Sequence, residues 1–237
     1  MTATEMSYEF DVIYDKITSS SSPGYTAKEK AVFLTKAEDI IIKRYQPAEW
    51  LERRRRDMAN LTKSVNITSP SVIQDIGKPY GVRYDLPSDF MYMESEEVTV
   101  SPIISDDCLD NHRIMVIPIR EDEYSLQIKN PFKKPQLKGG SFDWIWRMDF
   151  YDGTVLKRVD LITDATFLVT AYHLTYFRQP QGIAPIIIGD SSVTTQLDCE
   201  LNSTVHHEIV ELAVRIASGI TNPQEYQIKL NEEKINN

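Results

Sequence analysis

FDWIWRMDFYDGTVLKRVDLIT, residues 142–163, is the stretch whose reading decides the fold. Asp152-Gly153 is a favoured two-residue hairpin loop. Pairing outward from it sets Phe150 opposite Val155, Met148 opposite Lys157, Trp146 opposite Val159 and Trp144 opposite Leu161. That face is almost wholly apolar and belongs on a core. The other face sets Arg147 opposite Arg158, which alone is unfavourable. Asp149 and Asp160 sit diagonally from those arginines and relieve the repulsion. The spacing therefore predicts an antiparallel hairpin with one buried face.

The chain on either side continues in β. Residues 165–178, ATFLVTAYHLTYFR, read as a long strand. Gln179-Pro180-Gln181-Gly182 makes a turn, and residues 183–188 start another strand. Upstream, Asn130-Pro131-Phe132-Lys133-Lys134-Pro135 is a stiff connector, because each proline fixes its own φ and restricts the residue before it. Residues 116–119 are a further strand, with Pro118 favouring an edge. Pro70, Gly77, Pro79, Gly81 and Pro87 punctuate the region before that, leaving short strands at 90–93 and 98–100.

The ends read as helix. Thr26 and Glu29 fit a capping box. Ala27, Ala31, Leu34, Ala37, Ile41 and Tyr45 then form one stripe, widened by Phe33 and Ile40. Pro47 suits the first turn of a second helix running to about Lys63, with Trp50 or Leu51, then Met58, Leu61 and Val65 on its stripe. A last helix starts at Ser203 or Thr204 and carries Val205, Ile209, Leu212, Ala213 and Ile216, with Gly219 as its C′ residue.

The expected organisation is an N-terminal arm (1–25), a helical hairpin (26–65), a β-rich region (66–202), a C-terminal helix packing on that same domain (203–220) and a flexible tail (221–237). The fold class is α+β, with a central antiparallel β-rich domain built as a sandwich or barrel.

The net charge of −9 over 237 residues argues against a protein that grips nucleic acid, since phosphate neutralisation needs a basic surface. It suits a wall past which DNA slides. The start of the chain has no signal-peptide pattern, and no apolar run approaches a bilayer span. The expectation is a protein made in the cytoplasm, not membrane-bound, with Cys108 and Cys199 as free thiols.

No residue pattern specifies catalysis. His206-His207-Glu208 with Glu211 lacks the two histidines four apart of a zinc helix, and reads as a first-turn helix surface. His173 serves no Ser or Cys motif and reads as a polar or satisfied core position. Asp106-Asp107, Asp110 and Glu121-Asp122-Glu123 have no EF-hand spacing, and the last three look like a solvated turn. Gly139-Gly140 is no phosphate loop. No catalytic residue, metal ligand or cofactor is expected. Arg53, Arg54, Arg55 and Arg56 fan around a helix, paired with Glu49, Glu52 and Asp57 or meeting acidic groups of a partner.

Several stretches taken in order resemble a conserved virion structural protein of crAss-like bacteriophages. They are Tyr14, Ser19 to Ser22, Pro23-Gly24, Glu29-Lys30 and Phe33 to Ala37; then Arg53 to Leu61; then Asn130-Pro131-Phe132 with Pro135 and Trp146-Arg147. Tyr176-Phe177-Arg178-Gln179-Pro180 with Ile186 to Ile188 follows, and then Cys199-Glu200-Leu201 and Glu208 to Val214. Gln179 and Asn202 depart from the pattern, where a basic residue and a proline are usual. The resemblance implies a non-enzymatic head–tail connector or tail ring protein of the virion. It also implies a twelve-fold homo-oligomeric ring, with portal protein and neighbouring ring or tail proteins as partners and DNA passing without specific binding. Arg178 joins Arg53, Arg54, Arg55 and Arg56 as candidate subunit-interface residues. A tail receptor- or glycan-binding component is the alternative; it would need an exposed aromatic platform.

Overall fold

The computed structural model describes residues 1–17, 24–44, 56–70, 72–73, 78, 80–104, 109–138, 143–150, 157–185 and 196–221. The chain divides into two compact units, one of residues 1–61 with 180–237 and one of residues 62–179.

The first unit is helical. Helix α1 (Ala3–Ile17) buries Ala3, Met6, Phe10 and Tyr14. It replaces the arm expected over residues 1–25. Spacings of three and four put those four residues on one face, and Thr2 with Glu5 caps the first turn reciprocally at 2.9 and 3.2 Å. Helix α2 (Ala27–Arg44) begins with the predicted box. The Thr26 amide donates to Glu29 Oε2 at 2.8 Å, and the Glu29 amide donates to Thr26 Oγ1 at 3.4 Å.

Most of the second expected helix, residues 47–55, lies outside the described residues. Its predicted end does not hold. Ala59–Leu61 is a 3-10 turn, and strand begins at Thr62. Met58, Leu61 and Val65 fit a helical stripe, but Val65 and Ile67 also alternate, and the sheet takes them.

The C-terminal helix packs against α1 and α2 within the helical unit. Its apolar face, Ile209, Val210, Ala213, Val214 and Ala217, is buried there. It runs through Gly219 to Thr221 after a 3-10 turn capped by the Asn202 side chain, so Gly219 does not end it. Gly182 has φ +85°, and a Cβ there would stand 3.2 Å from Thr35. The Thr35 hydroxyl is the acceptor for the Ile183 amide at 3.1 Å. Of the strand expected at 183–188, the described part shows an isolated bridge between Ala184 and Leu197.

The second unit is an eight-stranded sheet in the order β1-β8-β4-β5-β6-β7-β3-β2. The strands are β1 Thr62–Ile67, β2 Val72–Ile73, β3 Gly81–Asp85, β4 Phe90–Pro102, β5 His112–Pro118, β6 Trp144–Phe150, β7 Arg158–Ile162 and β8 Phe167–Arg178. β5 and β6 pair in parallel, and the other neighbours are antiparallel. A parallel pair needs a crossover, and the chain between β5 and β6 carries the short helix α3 (Glu121–Gln127). Pro118 thus ends an interior strand, not an edge one.

The sheet curls into a half-barrel. Chain length requires a strong bend. β1 and β2 are opposite edges, yet only residues 68–71 join them, a span of at most about 18 Å. A flat sheet of eight strands would hold those edges about 34 Å apart. Register shifts at 90/92 and 93/95 put bulges in β4, and the shift at 99/100 puts one in β8, each adding bend and twist. They also reset side-chain parity. Phe167 and Val169 on one side of the last shift, and Tyr172, Leu174 and Tyr176 on the other, all reach one core.

β6 and β7 pair antiparallel as expected, but in a different register. Trp146 faces Ile162, Met148 faces Asp160 and Phe150 faces Arg158. The predicted register is displaced by three residues, and the predicted turn at Asp152-Gly153 lies outside the described residues. The physical reason is that both faces of β6 are covered. Ile145, Val159 and Leu161 join the inner core. Trp146, Met148 and Ile162 form a second cluster with Ile119, and Tyr124 and Ile128, from α3 and just beyond it, pack on it. With neither face left to water, the one-apolar-face rule loses its force.

Candidate assembly surface

Four inward positions of the sheet carry polar groups. Parity with Val98 and Val100 turns Glu96 into the curled interior, and parity with Ile145 does the same for Arg147. The Arg147 guanidinium donates to Glu96 Oε1 at 2.8 Å, and the Tyr172 hydroxyl donates to Glu96 Oε2 at 2.8 Å. Asp149 lies 3.3 Å from Arg147 Nε. Burial raises the Glu96 carboxyl above its ordinary value, with Arg147 and the Tyr172 hydroxyl pulling it back. Burial, then the Glu96 charge, raises Tyr172. The Glu96 carboxylate is thus met on both oxygens, while the buried Arg147 Nε has Asp149 near it but no hydrogen bond. A pocket of about 230 Å³ opens beside them, lined by Phe90, Met93, Arg147, Asp149, Lys157 and Arg158.

The outer face of the same region holds a second charged group. Arg83 and Asp160 are register partners and pair in a fork at 2.7 and 3.0 Å. Lys78 joins Asp160 at 4.0 Å and Glu121 of α3 at 2.9 Å. The arginine repulsion expected in the hairpin therefore never arises. Arg147 meets Glu96, and Arg158 meets Asp85 at 2.8 Å. Glu121, Asp122 and Glu123 are exposed and form the first turn of α3.

Of the predicted interface residues, Arg53, Arg54 and Arg55 lie outside the described residues. Arg56 is exposed in the helical unit, next to Asp57. Asp57 is buried and accepts the Thr204 hydroxyl at 2.7 Å, tying this segment to the start of the last helix. Arg178 is half-buried at the end of β8, opposite Phe90. Beside it Tyr176 donates to Asp89 at 2.7 Å, and Lys63 reaches the same carboxylate at 3.0 Å.

The histidines divide. His206 is buried, contrary to the helix-surface expectation. Its Nε2 donates to the Leu201 carbonyl at 3.1 Å, which leaves Nδ1 to accept from the Met1 ammonium at 2.9 Å. Burial lowers its pKa below the ordinary imidazole value. His207 is exposed, 2.6 Å from Glu9. His173 Nε2 meets Thr99 Oγ1 at 2.7 Å. Among the described residues no group of three His, Cys, Asp or Glu could hold a metal ion. Cys199 is a free thiol, and Cys108 lies outside the described residues, as do Asp106, Asp107 and the Gly139-Gly140 pair.

Two surfaces suit contact with other chains. Ile103, Ile104 and Leu168 lie exposed where the β4–β8 ribbon ends, and Leu126 and Phe132 lie exposed on the crossover; Ile104 is 85% and Phe132 88% accessible. Ile103, Ile104 and Leu168, together at that ribbon end, form an exposed apolar group of the kind that marks an interaction site. The second is the outer edge of β1, which pairs with no other strand among the described residues. Sequence reasoning missed both the inward polar group and this edge. An acid two residues before the strand alternation of Val98 and Val100 was the available signal for Glu96.

Comparison with known proteins adds the rest. The family model described as phage tail ring protein 3/4 matches residues 1–227. The chain is 31% identical over 242 residues to ring protein 4/5 of Bacteroides phage crAss001, covering 92% of this chain and 93% of that protein. It is 29% identical over 231 residues to ring protein 3 of the same phage, covering 92% of this chain and 95% of that one.

Proposed function

The chain belongs to the phage tail ring protein 3/4 family, and from that premise we propose that it is a non-enzymatic structural subunit of a tailed-phage virion. Copies stand side by side as a closed ring in the head–tail connector or tail, and the ring continues the DNA channel. The observation that carries this is the family match along nearly the whole chain, residues 1–227. Portal protein and neighbouring ring or tail proteins are its partners, and twelve copies follow from portal symmetry. A ring of identical subunits uses two different surfaces per subunit, closed by rotation. The net charge of −9 suits a wall that DNA passes without being held. Arg53, Arg54, Arg55, Arg56 and Arg178 stand as proposed subunit contacts, their guanidinium forks meeting acidic groups of the next copy.

A receptor- or glycan-binding role would call for an exposed aromatic platform. Trp146 is buried in the cluster beneath α3, and Trp144 is half-buried against it. Negative-stain imaging of the chain with portal protein added tests the proposal. Closed rings, alone or seated on the portal, are expected. A monomer that ignores the portal at high concentration contradicts it.

A further inference from the structure

A sheet edge is a row of backbone donors and acceptors without partners, and proteins that stay monomeric blunt it. They use very short edge strands, proline, bulges or uncompensated charge. The two edges of this sheet differ in that respect. β2, at one edge, has two residues. β1, at the other, has six and pairs with β8 in an unbroken register from Thr62 opposite Phe177 to Ile67 opposite Tyr172. It contains no proline; Pro70 comes after it. Its one charge, Lys63, is met within the subunit by Asp89 at 3.0 Å. Ser64 is likewise satisfied across the ladder, its hydroxyl 3.0 Å from that of Thr175. Thr62, Lys63, Ser64 and Asn66 are exposed, and among the described residues no strand pairs with β1 on the side away from β8.

We propose that the outer edge of β1 is an acceptor site for an extended segment of a neighbouring copy, which adds as a further strand of the sheet. The chemistry of the edge specifies the ligand class. Alternate residues of β1 aim their N–H and C=O groups away from β8, and only another extended backbone matches that row at its spacing. A second copy is the occupant because this inference rests on the ring reading, which sets copies side by side. The donor is a segment other than β1. Pairing β1 with β1 of the next copy would have two-fold symmetry and stop at a dimer, whereas an acceptor edge and a separate donor give the head-to-tail contact that a ring requires.

Two proline variants and amide exchange test this on the full chain. Because β1 amides alternate in direction, one of Ser64→Pro and Val65→Pro removes an N–H that faces β8, and the other removes one that faces outward. The inward variant is expected to lose folding stability. The outward variant is expected to keep the circular dichroism and melting temperature of the parent and to stay a monomer. Outward amides within Thr62–Ile67 are expected to slow in exchange at least tenfold in the assembled ring relative to the monomer. Rings formed by the outward variant, with exchange in β1 unchanged on assembly, overturn the acceptor edge while leaving the ring reading intact. A parent chain that forms no ring with or without portal protein overturns both. A β1-to-β1 dimer overturns the head-to-tail form proposed.

Discussion

In the sheet unit the buried carboxylate of Glu96 meets the Arg147 guanidinium and the Tyr172 hydroxyl, each at 2.8 Å. In the helical unit Glu38 is 1% accessible and meets the Cys199 thiol at 3.3 Å, while its Oε2 has no hydrogen-bond partner. Burial pushes Glu38 up to about 7, with Asp39 and Glu200 adding to the rise, whereas Arg147 offsets much of the same effect at Glu96. One unit holds a buried acid with a cation, and the other holds it by keeping its proton. The same side chain therefore makes one unit depend on a partner residue and the other on pH.

Removing the partner is the largest expected effect. Arg147→Met leaves Glu96 buried without a cation and is expected to cost about 3–5 kcal/mol. Urea unfolding of the sheet unit checks this, and the double variant Glu96→Met with Arg147→Met is expected to recover much of the loss.

The helical unit responds to pH instead. The folded pKa of Glu38 lies above the unfolded one, so the folded state binds the extra proton. Stability is then fully present below about 4.5 and falls as pH rises through about 7. Glu38→Gln is expected to stabilise α2 by on the order of 3 kcal/mol at pH 8 and to change little at pH 4. Amide exchange along α2 at both values reads the difference. An equal effect at both would erase the contrast between the units.

Asp89 in the sheet unit sharpens the contrast, because its shift has the opposite sign. Burial alone would raise it, but the Tyr176 hydroxyl and Lys63 outweigh that and hold it low. Its contribution is therefore present at neutral pH and lost as pH falls below the ordinary carboxylate range, where Lys63→Met and the parent are expected to converge in stability.

Smaller effects probe the helical unit alone. Gly182→Ala is expected to cost about 1–2 kcal/mol, from positive φ and the approach to Thr35. Thr2→Ala and Thr26→Ala are each expected to cost about 1 kcal/mol, read in the melting temperature. Equal losses would show that α1 is held by its cap as α2 is.

That last pair also shows what was legible in the sequence. Thr26 with Glu29 and Thr2 with Glu5 are the same four-residue signal, and both form. The first precedes a long apolar stripe and reads at once. The second sits by the chain end, ahead of a serine run that suggests an arm, and the helical spacing of Met6, Phe10 and Tyr14 was the decisive sign. The strands of residues 144–178 were legible as strands, because β-branched and aromatic residues alternate there. Their register was not. Register follows from which faces are covered: on β6 the apolar face of Trp146 and Met148 packs under α3, while Arg147, on the face that pattern alone assigns to water, turns into the curled interior to meet Glu96. The bulges in β4 and β8 are invisible for a related reason: each shifts parity by one residue, and the strand still reads as continuous. The candidate interface was legible only as basic residue types, since no residue pattern states which edge of a sheet is left open.

Light scattering of the purified chain across concentration decides whether copies of it close into a ring. A closed oligomer is expected, with a mass that is a fixed multiple of the 27.3 kDa chain and does not grow further with concentration. A single-chain mass at every concentration, unchanged when portal protein is added, would contradict it.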